Sequence, residues 1–226
     1  MSSELSAFKR DNGQWGLRNH VLILPLHSAL SATARAIADG SHGAVAISHD
    51  WSGEIDNDLP RIIFTFSGYA ANPNNFAVVF LTVGSDNESE IIASAQALGL
   101  KRFTNVALPE IGSMEGLRVK AIEIANQYCA DAAQEKRVPA PWSALVLGLE
   151  CGGSDALSGI TANPALGVAS DRLVELGATS VLGETTEILG AEHLLAARAI
   201  DPEVGKRIVA MVSRYEASIN YEGIDI

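Results

Sequence analysis

The chain has few cysteines: Cys129 and Cys151 are the two among its 226 residues. A framework of several disulfides is therefore excluded, and a single bridge is the most that could form. Cys129 lies in a helical pattern, and a reducing compartment keeps thiols unpaired, so we expect both cysteines to be free.

Positive charge is also scarce, with 16 lysines and arginines against 27 aspartates and glutamates and a formal net charge of −11. The cations are spread along the chain instead of forming a cluster. Contacts to phosphate groups need clustered lysine and arginine, so the sequence argues against nucleic acid as a partner. The acidic surface predicts a soluble protein.

Long apolar runs are absent as well, and none approaches the length that crosses a bilayer. The start, MSSELSAFKRDNGQ, has no apolar core of a signal peptide. We therefore expect a cytoplasmic protein without a membrane partner. What the chain does have is 47% hydrophobic residues, which supplies a core for one large or two small domains.

Apolar, partly β-branched runs alternate with segments of helical periodicity, which predicts an α/β fold. The predicted strands cover residues 20–26, 42–48, 76–84, 103–108, 143–149 and 178–183. The predicted helices cover residues 28–38, 58–69, 90–99, 113–134 and 164–176, with two more that begin near Thr186 and Pro202. We expect a mostly parallel sheet covered by helices on both faces, in two sequential α/β halves.

The segment QEKRVPAPW, residues 134–142, has the charge and proline content of a linker. We therefore place a domain boundary there. The prediction is a first α/β domain over residues 1–137 and the start of a second α/β domain over residues 138–226.

The run LECGGSDALSGITANPALG, residues 149–167, concentrates a thiol, a carboxylate, hydroxyls and glycines in one loop. It joins a predicted buried strand to a predicted helix with Pro164 in its first turn. In α/β sheets the loops at the carboxyl ends of strands carry ligands, which favours a functional site. The alternative is a tight turn that needs Gly152 and Gly153 for positive φ angles, although the run is longer than a turn requires.

This run resembles the altronate dehydratase and galactarate dehydratase family, whose members carry CGGSD followed by SGITANPALG. Three further matches, KRDNGQWGLRNH, GYAANPN and ETTEILGAEHLLAARA, extend the resemblance over almost the whole chain. The resemblance implies a metal-assisted carbon–oxygen lyase that acts on a sugar acid, an aldarate or aldonate. It also implies that residues 1–137 correspond to the second domain of these dehydratases and that the chain is a fragment or a shortened relative.

Two alternatives to a dehydratase stay open. The first alternative is cleavage of a carbon–sulfur bond, because sulfo-lyases are related to this family. The second is a non-catalytic or split-subunit member that binds a small sugar acid or a partner chain. The expected protein partners are a second copy in a homodimer or a separate C-terminal subunit.

Dehydration removes a proton next to a carboxylate and expels a β-hydroxyl, which a Lewis acid assists, so we expect a metal ion. The resemblance implies a divalent ion, with iron as a candidate. The resemblance implies cysteines in three loops, but Ser52 and Ser85 stand where two of them are expected. A serine hydroxyl is a weak ligand for soft metals, so an iron–sulfur cluster is not expected. Cys151 and Glu184 are the predicted metal ligands.

The candidate catalytic residues are those that can transfer protons or bind a metal: His49, Cys151, Asp155, Glu184 and His193. The candidate substrate-binding residues are Arg18, Asn19, Ser85, Gly152, Gly153, Ser154, Thr161 and Asn163. We expect loops at one end of a parallel sheet to bring the side chains of Cys151, Asp155, Glu184 and His49 into a shared pocket.

Several of the candidates also have a structural interpretation. A lone cysteine such as Cys151 is often a small buried hydrophobe instead of a thiolate near a helix start. Ser154 and Asp155 can close an Asx-type turn. Arg18 and Asn19 can tie the first segment to the sheet, and most single histidines are structural.

Overall fold

The computed structural model describes residues 5–53, 57–153 and 155–221. Contacts between residues divide the chain into two units, Met1–Ala144 and Leu145–Ile226. Within the described ranges, no helix is both long enough and apolar enough to cross a membrane.

The first unit alternates strands and helices as the periodicity predicts. Its elements are β1 (Leu5–Lys9), β2 (Trp15–Gly16), β3 (His20–Pro25), α1 (Ser31–Asp39), β4 (Ala44–Ala46), α2 (Leu59–Ala71), β5 (Asn75–Thr82), α3 (Asp86–Ala97), β6 (Phe103–Ala107), α4 (Leu108–Ile111), α5 (Met114–Ala132) and β7 (Val138–Ala140). A 3-10 turn at Ser28–Leu30 precedes α1, so the predicted helix at residues 28–38 begins as a tighter turn.

The central sheet of this unit is parallel and has the strand order β4-β3-β5-β6. Strand β5 reads NFAVVFLT and is buried along its whole length after Asn75. A continuous apolar run of this kind is typical of a parallel strand that is covered on both faces.

Successive residues of β5 point to opposite faces of the sheet and enter two different cores. Val79 and Leu81 pack with residues of α1 and α5 on one face. Val78 and Phe80 pack with residues of α2 and α3 on the other face. The prediction of a parallel sheet with helices on both faces is therefore confirmed.

A second, antiparallel sheet with the order β2-β1-β7 was not predicted. Its strand β7 lies inside the segment interpreted as a linker, so the linker prediction is wrong for Val138–Ala140. The preceding Arg137 donates to the backbone oxygens of Ser6 at 2.7 Å and Leu17 at 2.8 Å. Strand β7 is three residues long and contains a proline, so it carries too little periodicity to be recognised as a strand.

The second unit contains β8 (Val146–Leu149), α6 (Ala162–Glu175), β9 (Thr179–Leu182), α7 (Glu192–Ala197) and α8 (Pro202–Tyr221). Strands β8 and β9 are parallel, with Val146 opposite Thr179 and Leu149 opposite Leu182. The prediction that β8 is buried is wrong, because Val146 is 64% exposed. Among the described residues β9 is the one strand that pairs with it, so β8 is a sheet edge.

Candidate functional site

The loops that follow β8 and β9 leave the sheet at the same edge. Leu149 and Leu182 are paired at the ends of the two parallel strands, and the Gly183 N–H donates to the Leu149 oxygen at 2.8 Å. The Cys151 N–H then donates to Glu184 Oε2 at 3.3 Å. Two of the predicted site residues are therefore in contact at the carboxyl edge of this sheet, where α/β folds bind ligands.

Glu184 has an unusual backbone conformation, with φ 52° and ψ 81°. Among the described residues it is the one non-glycine residue with a positive φ. This left-handed region costs an ordinary side chain free energy, and such residues concentrate at functional sites. Glu184 immediately precedes a 3-10 turn at Thr185–Ile188, and its carboxylate accepts the backbone N–H of Cys151.

An open cavity of about 560 Å³ adjoins Cys151. The residues that line it come from the glycine-rich loop and the start of α6: Glu150, Cys151, Gly152, Gly153, Asp155, Ser158, Ala162, Asn163 and Leu166. This lining supplies carboxylates, a thiol, a hydroxyl and an amide, but no lysine or arginine. Glu150 was missed by the sequence interpretation, although its place directly before Cys151 in LECGGSD is the signal that could have identified it.

Gly152 and Gly153 do not serve the backbone of a tight turn. Neither has a φ in the left-handed region, and a Cβ added at either position would meet no atom within 4 Å. The alternative interpretation, that these glycines supply positive φ angles, is therefore wrong. Both residues line the cavity, so the absence of a side chain at each position leaves open space next to Cys151.

Hydroxyl and carboxylate groups form hydrogen bonds within the loop that precedes α6. Asp155 Oδ1 accepts the N–H groups of Leu157 at 2.7 Å and Ser158 at 3.0 Å, which is the Asx-type turn that was the alternative for Asp155. The Thr161 hydroxyl donates to the Leu157 oxygen at 2.6 Å. Asp155 still lines the cavity, whereas Thr161 does not belong to the lining. Ser154 lies outside the described residues.

The Cys151 thiol donates to the Gly153 oxygen over 3.5 Å. The first α-helix after it begins at Ala162, so Cys151 does not stand at a helix N-terminus as expected. Both cysteines are free, as predicted. Burial raises the pKa of the Cys129 thiol in α5.

The described residues do not form a complete metal site. No group of three or more histidine, cysteine, aspartate or glutamate side chains lies close enough to hold an ion within the ranges that the structure describes. Cys151 and Glu184 adjoin each other but supply two donors, whereas zinc sites in proteins take three or four protein ligands. The metal therefore stays a prediction.

His49 belongs to the first unit, in the loop after β4. Its Nε2 is 2.8 Å from the Pro25 oxygen, and its Nδ1 accepts the Trp51 N–H at 3.2 Å. The ring also packs against Phe66, with centroids 4.6 Å apart. Both ring nitrogens are bound to backbone groups, so a proton transfer through His49 would break one of these hydrogen bonds.

Ser85 is the N-cap residue of α3, at the carboxyl end of β5, and forms a capping box with Glu88. The Glu88 side chain is 2% exposed and accepts the N–H groups of Val83, Gly84 and Ser85 at 2.7–2.9 Å. Sequence interpretation missed Glu88. The signal was the SDNE pattern, a serine followed three residues later by glutamate.

The cavity lining does not include the remaining candidates, which are Arg18, Asn19 and His193. Arg18 and Asn19 precede β3, so they lie at the amino edge of the sheet, opposite to the edge of His49 and Ser85. Asn19 accepts from Arg10 at 2.8 Å and donates to the Ala132 oxygen at 2.8 Å, which ties the first segment to α5. His193 is exposed on α7 and is not part of the cavity lining.

Comparisons with known proteins agree with this organisation. The family described as D-galactarate dehydratase/Altronate hydrolase, second domain, matches residues 7–135. The family described as D-galactarate/Altronate dehydratase, C-terminal, matches residues 142–226. The chain belongs to the galactarate/altronate dehydratase family. The resemblance of its CGGSD loop to that family is thereby confirmed.

Several curated relatives resemble the chain over most of its length. The (2R)-sulfolactate sulfo-lyase subunit beta of Chromohalobacter salexigens is 35% identical over 94% of the chain and 54% of its own length. The altronate dehydratase of Escherichia coli is 32% identical over 94% of the chain and 45% of its own length. The galactarate dehydratase (L-threo-forming) of Escherichia coli is 48% identical over 62% of the chain and 26% of its own length. The chain thus spans about half the length, or less, of these curated relatives.

Proposed function

We propose that the chain takes part in the dehydration of a sugar acid, as a carbon–oxygen lyase of the galactarate/altronate dehydratase family. The observation that carries this proposal is the contact between Cys151 and Glu184 beside the cavity at the carboxyl edge of β8 and β9. Membership of the family and the names of the dehydratase relatives support it.

The chemistry needs a base for the proton next to the substrate carboxylate and an acid for the departing β-hydroxyl. We assign the base role to Glu184, which adjoins the cavity through Cys151 without belonging to its lining and is oriented by its backbone conformation and by the Cys151 N–H. Glu150 or Asp155, which line the cavity, would protonate the hydroxyl as it leaves as water. Asn163 would hydrogen-bond a substrate hydroxyl from the start of α6.

Charge sets a further requirement for an anionic substrate. The cavity lining contains carboxylates but no lysine or arginine. A sugar-acid carboxylate entering it would be repelled unless a cation were present. We therefore propose that a divalent ion, or a basic side chain outside the described lining, supplies the positive charge. Cys151 would contribute one ligand to such an ion, which would need others, while Glu184 acts as the base.

A panel of aldarates and aldonates tests the proposal directly. Each acid is incubated with the purified protein, with and without Fe²⁺ or Mn²⁺, and the keto-acid product is quantified. Glu184→Gln keeps an acceptor for the Cys151 N–H but removes the base, so turnover should fall at least about 100-fold. Glu203→Gln, on the exposed face of α8 and paired with Lys206, is the matched control and should keep wild-type turnover. No product from any acid, or equal turnover of the two variants, would contradict the proposal.

The sulfo-lyase relative favours a second reaction at the same site. Loss of sulfite from a sulfo-acid uses the same removal of a proton next to a carboxylate, with a different leaving group. Including (2R)-sulfolactate in the panel and measuring released sulfite decides between the two reactions. Sulfite release without dehydration of any sugar acid would replace the carbon–oxygen lyase with a carbon–sulfur lyase.

A partner chain is the alternative that the second unit favours. Large apolar side chains of this unit are exposed, including Val146, Leu182 and Ile160, which are 64%, 62% and 74% accessible. An exposed apolar surface on a sheet edge indicates a binding site for another polypeptide segment. We propose that another segment or subunit covers β8 and β9, as the word subunit in the name of the sulfo-lyase relative suggests.

Substitution on the exposed strands tests this alternative. Leu182→Lys should lower self-association in light scattering and lower the binding of a hydrophobic dye, without loss of helical content. Val119→Lys, 55% exposed on α5 of the first unit, is the control and should change neither readout. If both variants behave as the wild type, the β8–β9 surface is not a docking site.

A further inference from the structure

A second cavity, on the first unit, is not used by the proposed function. It measures about 130 Å³, and the charged residues that line it are Lys9, Arg10, Asp11, Lys101, Arg102 and Glu135. We call it the amino-edge cavity, because Asn75 begins β5 and Arg102 directly precedes β6. It lies at the edge of the parallel sheet opposite to Ser85.

Two of the sequence motifs meet in this cavity. KRDNGQWGLRNH contributes Lys9 and Arg10, and GYAANPN contributes Asn72 and Pro73. The Arg10 Nε donates to the Pro73 oxygen at 2.7 Å, which joins the two motifs directly.

The charge of the cavity is opposite to that of the protein. Four cationic side chains and two carboxylates line it, in a chain of net charge −11. Arg102 pairs with Glu135 at 3.3 Å, and these two charges compensate each other, so three cations remain against the single carboxylate of Asp11. The remaining positive charge gives this cavity a field that attracts anions and raises their local concentration.

Arg10 is the most informative of these cations. Its Nε, Nη1 and Nη2 donate to the Pro73 oxygen, to Asn19 Oδ1 and to the Arg18 oxygen, all of them neutral acceptors. A guanidinium has five N–H donors, so two remain. Within the described ranges no carboxylate forms an ion pair with it. Burial lowers the pKa of Arg10, and the nearby Glu135 and Asp11 carboxylates offset this effect only in part, so a bound anion would offset more of the electrostatic cost.

Of the other cations, Arg102 is held in place by a ring contact, whereas the side chain of Lys101 is free to move toward a ligand. Arg102 stacks over the Phe76 ring, 4.4 Å from its centroid, which fixes the guanidinium plane. Lys9 lies 5.6 Å from the centroid of the Trp15 ring. Lys101 is exposed, and no hydrogen bond or ion pair is formed by its side chain in the described part of the chain.

We propose that the amino-edge cavity binds a small oxyanion, a carboxylate or a phosphate, through Arg10, Lys101 and Arg102. Ligand pockets for drug-sized molecules measure about 300–1,000 Å³, so this cavity accommodates a much smaller ligand. The planar guanidinium groups suit the oxygen pairs of carboxylate and phosphate alike. The site is independent of the proposed lyase chemistry.

Titration of the ¹⁵N-labelled protein with inorganic phosphate and, separately, with malonate tests this site. The expected result is saturable shifts of the amide signals of Arg10, Gly99 and Arg102 with at least one of the two anions, weakened by added salt. Saturation with phosphate alone assigns a phosphate ligand, and saturation with malonate alone assigns a carboxylate. Absence of saturable shifts with both anions overturns the proposal.

Two lysine variants separate a built site from general attraction of anions to lysine. Lys101→Ala should weaken binding roughly tenfold, which corresponds to loss of one charge-assisted contact. Lys120→Ala removes an exposed lysine of α5 that pairs with Glu123 outside the cavity, and its affinity should equal that of the wild type. Equal weakening in both variants would overturn the proposal.

Discussion

Glu88 and Ser85 form the two hydrogen bonds of a capping box at the start of α3. The Ser85 side chain accepts a backbone N–H of the first helical turn, while Glu88 Oε2 accepts the Ser85 N–H at 2.8 Å. The same carboxylate accepts the N–H groups of Val83 and Gly84. A single buried side chain thus shapes the loop at the carboxyl end of β5.

Removal of this carboxylate should destabilise the first unit. Glu88→Ala leaves three backbone N–H groups without their acceptor, so the free energy of unfolding should fall by about 2–3 kcal/mol. Urea denaturation followed by circular dichroism measures the change. The exposed Glu90, two residues later, provides the control, because Glu90→Ala should stay within about 0.5 kcal/mol of the wild type. Equal stability of the two variants would show that the carboxylate does not support the loop.

Alanine substitutions should distinguish a structural glycine from a glycine of the site. A Cβ at Gly16 would collide with the Pro73 oxygen and lie 2.9 Å from Arg10 Nη2, whereas a Cβ at Gly152 meets nothing within 4 Å. Gly16→Ala should lower the free energy of unfolding by about 1–3 kcal/mol. Gly152→Ala should keep wild-type stability but reduce turnover, because the methyl group enters the cavity. Wild-type turnover of Gly152→Ala would show that the space beside Cys151 is not used by the substrate.

The stability of the first unit should depend on pH through His20. Burial, together with the nearby Arg18 cation, lowers the pKa of His20 below its ordinary value of 6.5. The unfolded chain therefore binds the proton first, and the free energy of unfolding should decrease as the pH falls below about 6.5. Urea denaturation between pH 5 and pH 8 should show a smaller decrease for His20→Gln than for the wild type. The same pH dependence in both proteins would contradict this assignment.

The elements of the parallel sheet could be predicted because burial on both faces leaves a clear signal in the sequence. Strand β5 is a continuous apolar run, and the helices around it keep a regular apolar spacing. Strand β7 could not be predicted, because three residues with a central proline carry no periodicity. Its pairing with β1 joins residues that are far apart in sequence.

The candidate site was predicted in part. Cys151 and Glu184 each follow a strand, and the parallel pairing of β8 and β9 brings them together. The contacts of His49 with backbone groups of Pro25 and Trp51 could not be foreseen, because they depend on how the loop after β4 folds. The predicted shared pocket with His49 stays a prediction, because His49 belongs to the first unit and the other residues to the second.

Protection of Cys151 from alkylation tests whether a sugar acid binds beside Cys151 and Glu184. The protein is treated with iodoacetamide with and without an excess of altronate or galactarate, and mass spectrometry quantifies labelling of each cysteine. Cys129 is the internal reference, since burial raises its pKa and it lies in α5 of the first unit. A sugar acid should slow the labelling of Cys151, while the labelling of Cys129 stays unchanged. Labelling of Cys151 at the same rate with and without every sugar acid would contradict a substrate site beside Cys151 and Glu184.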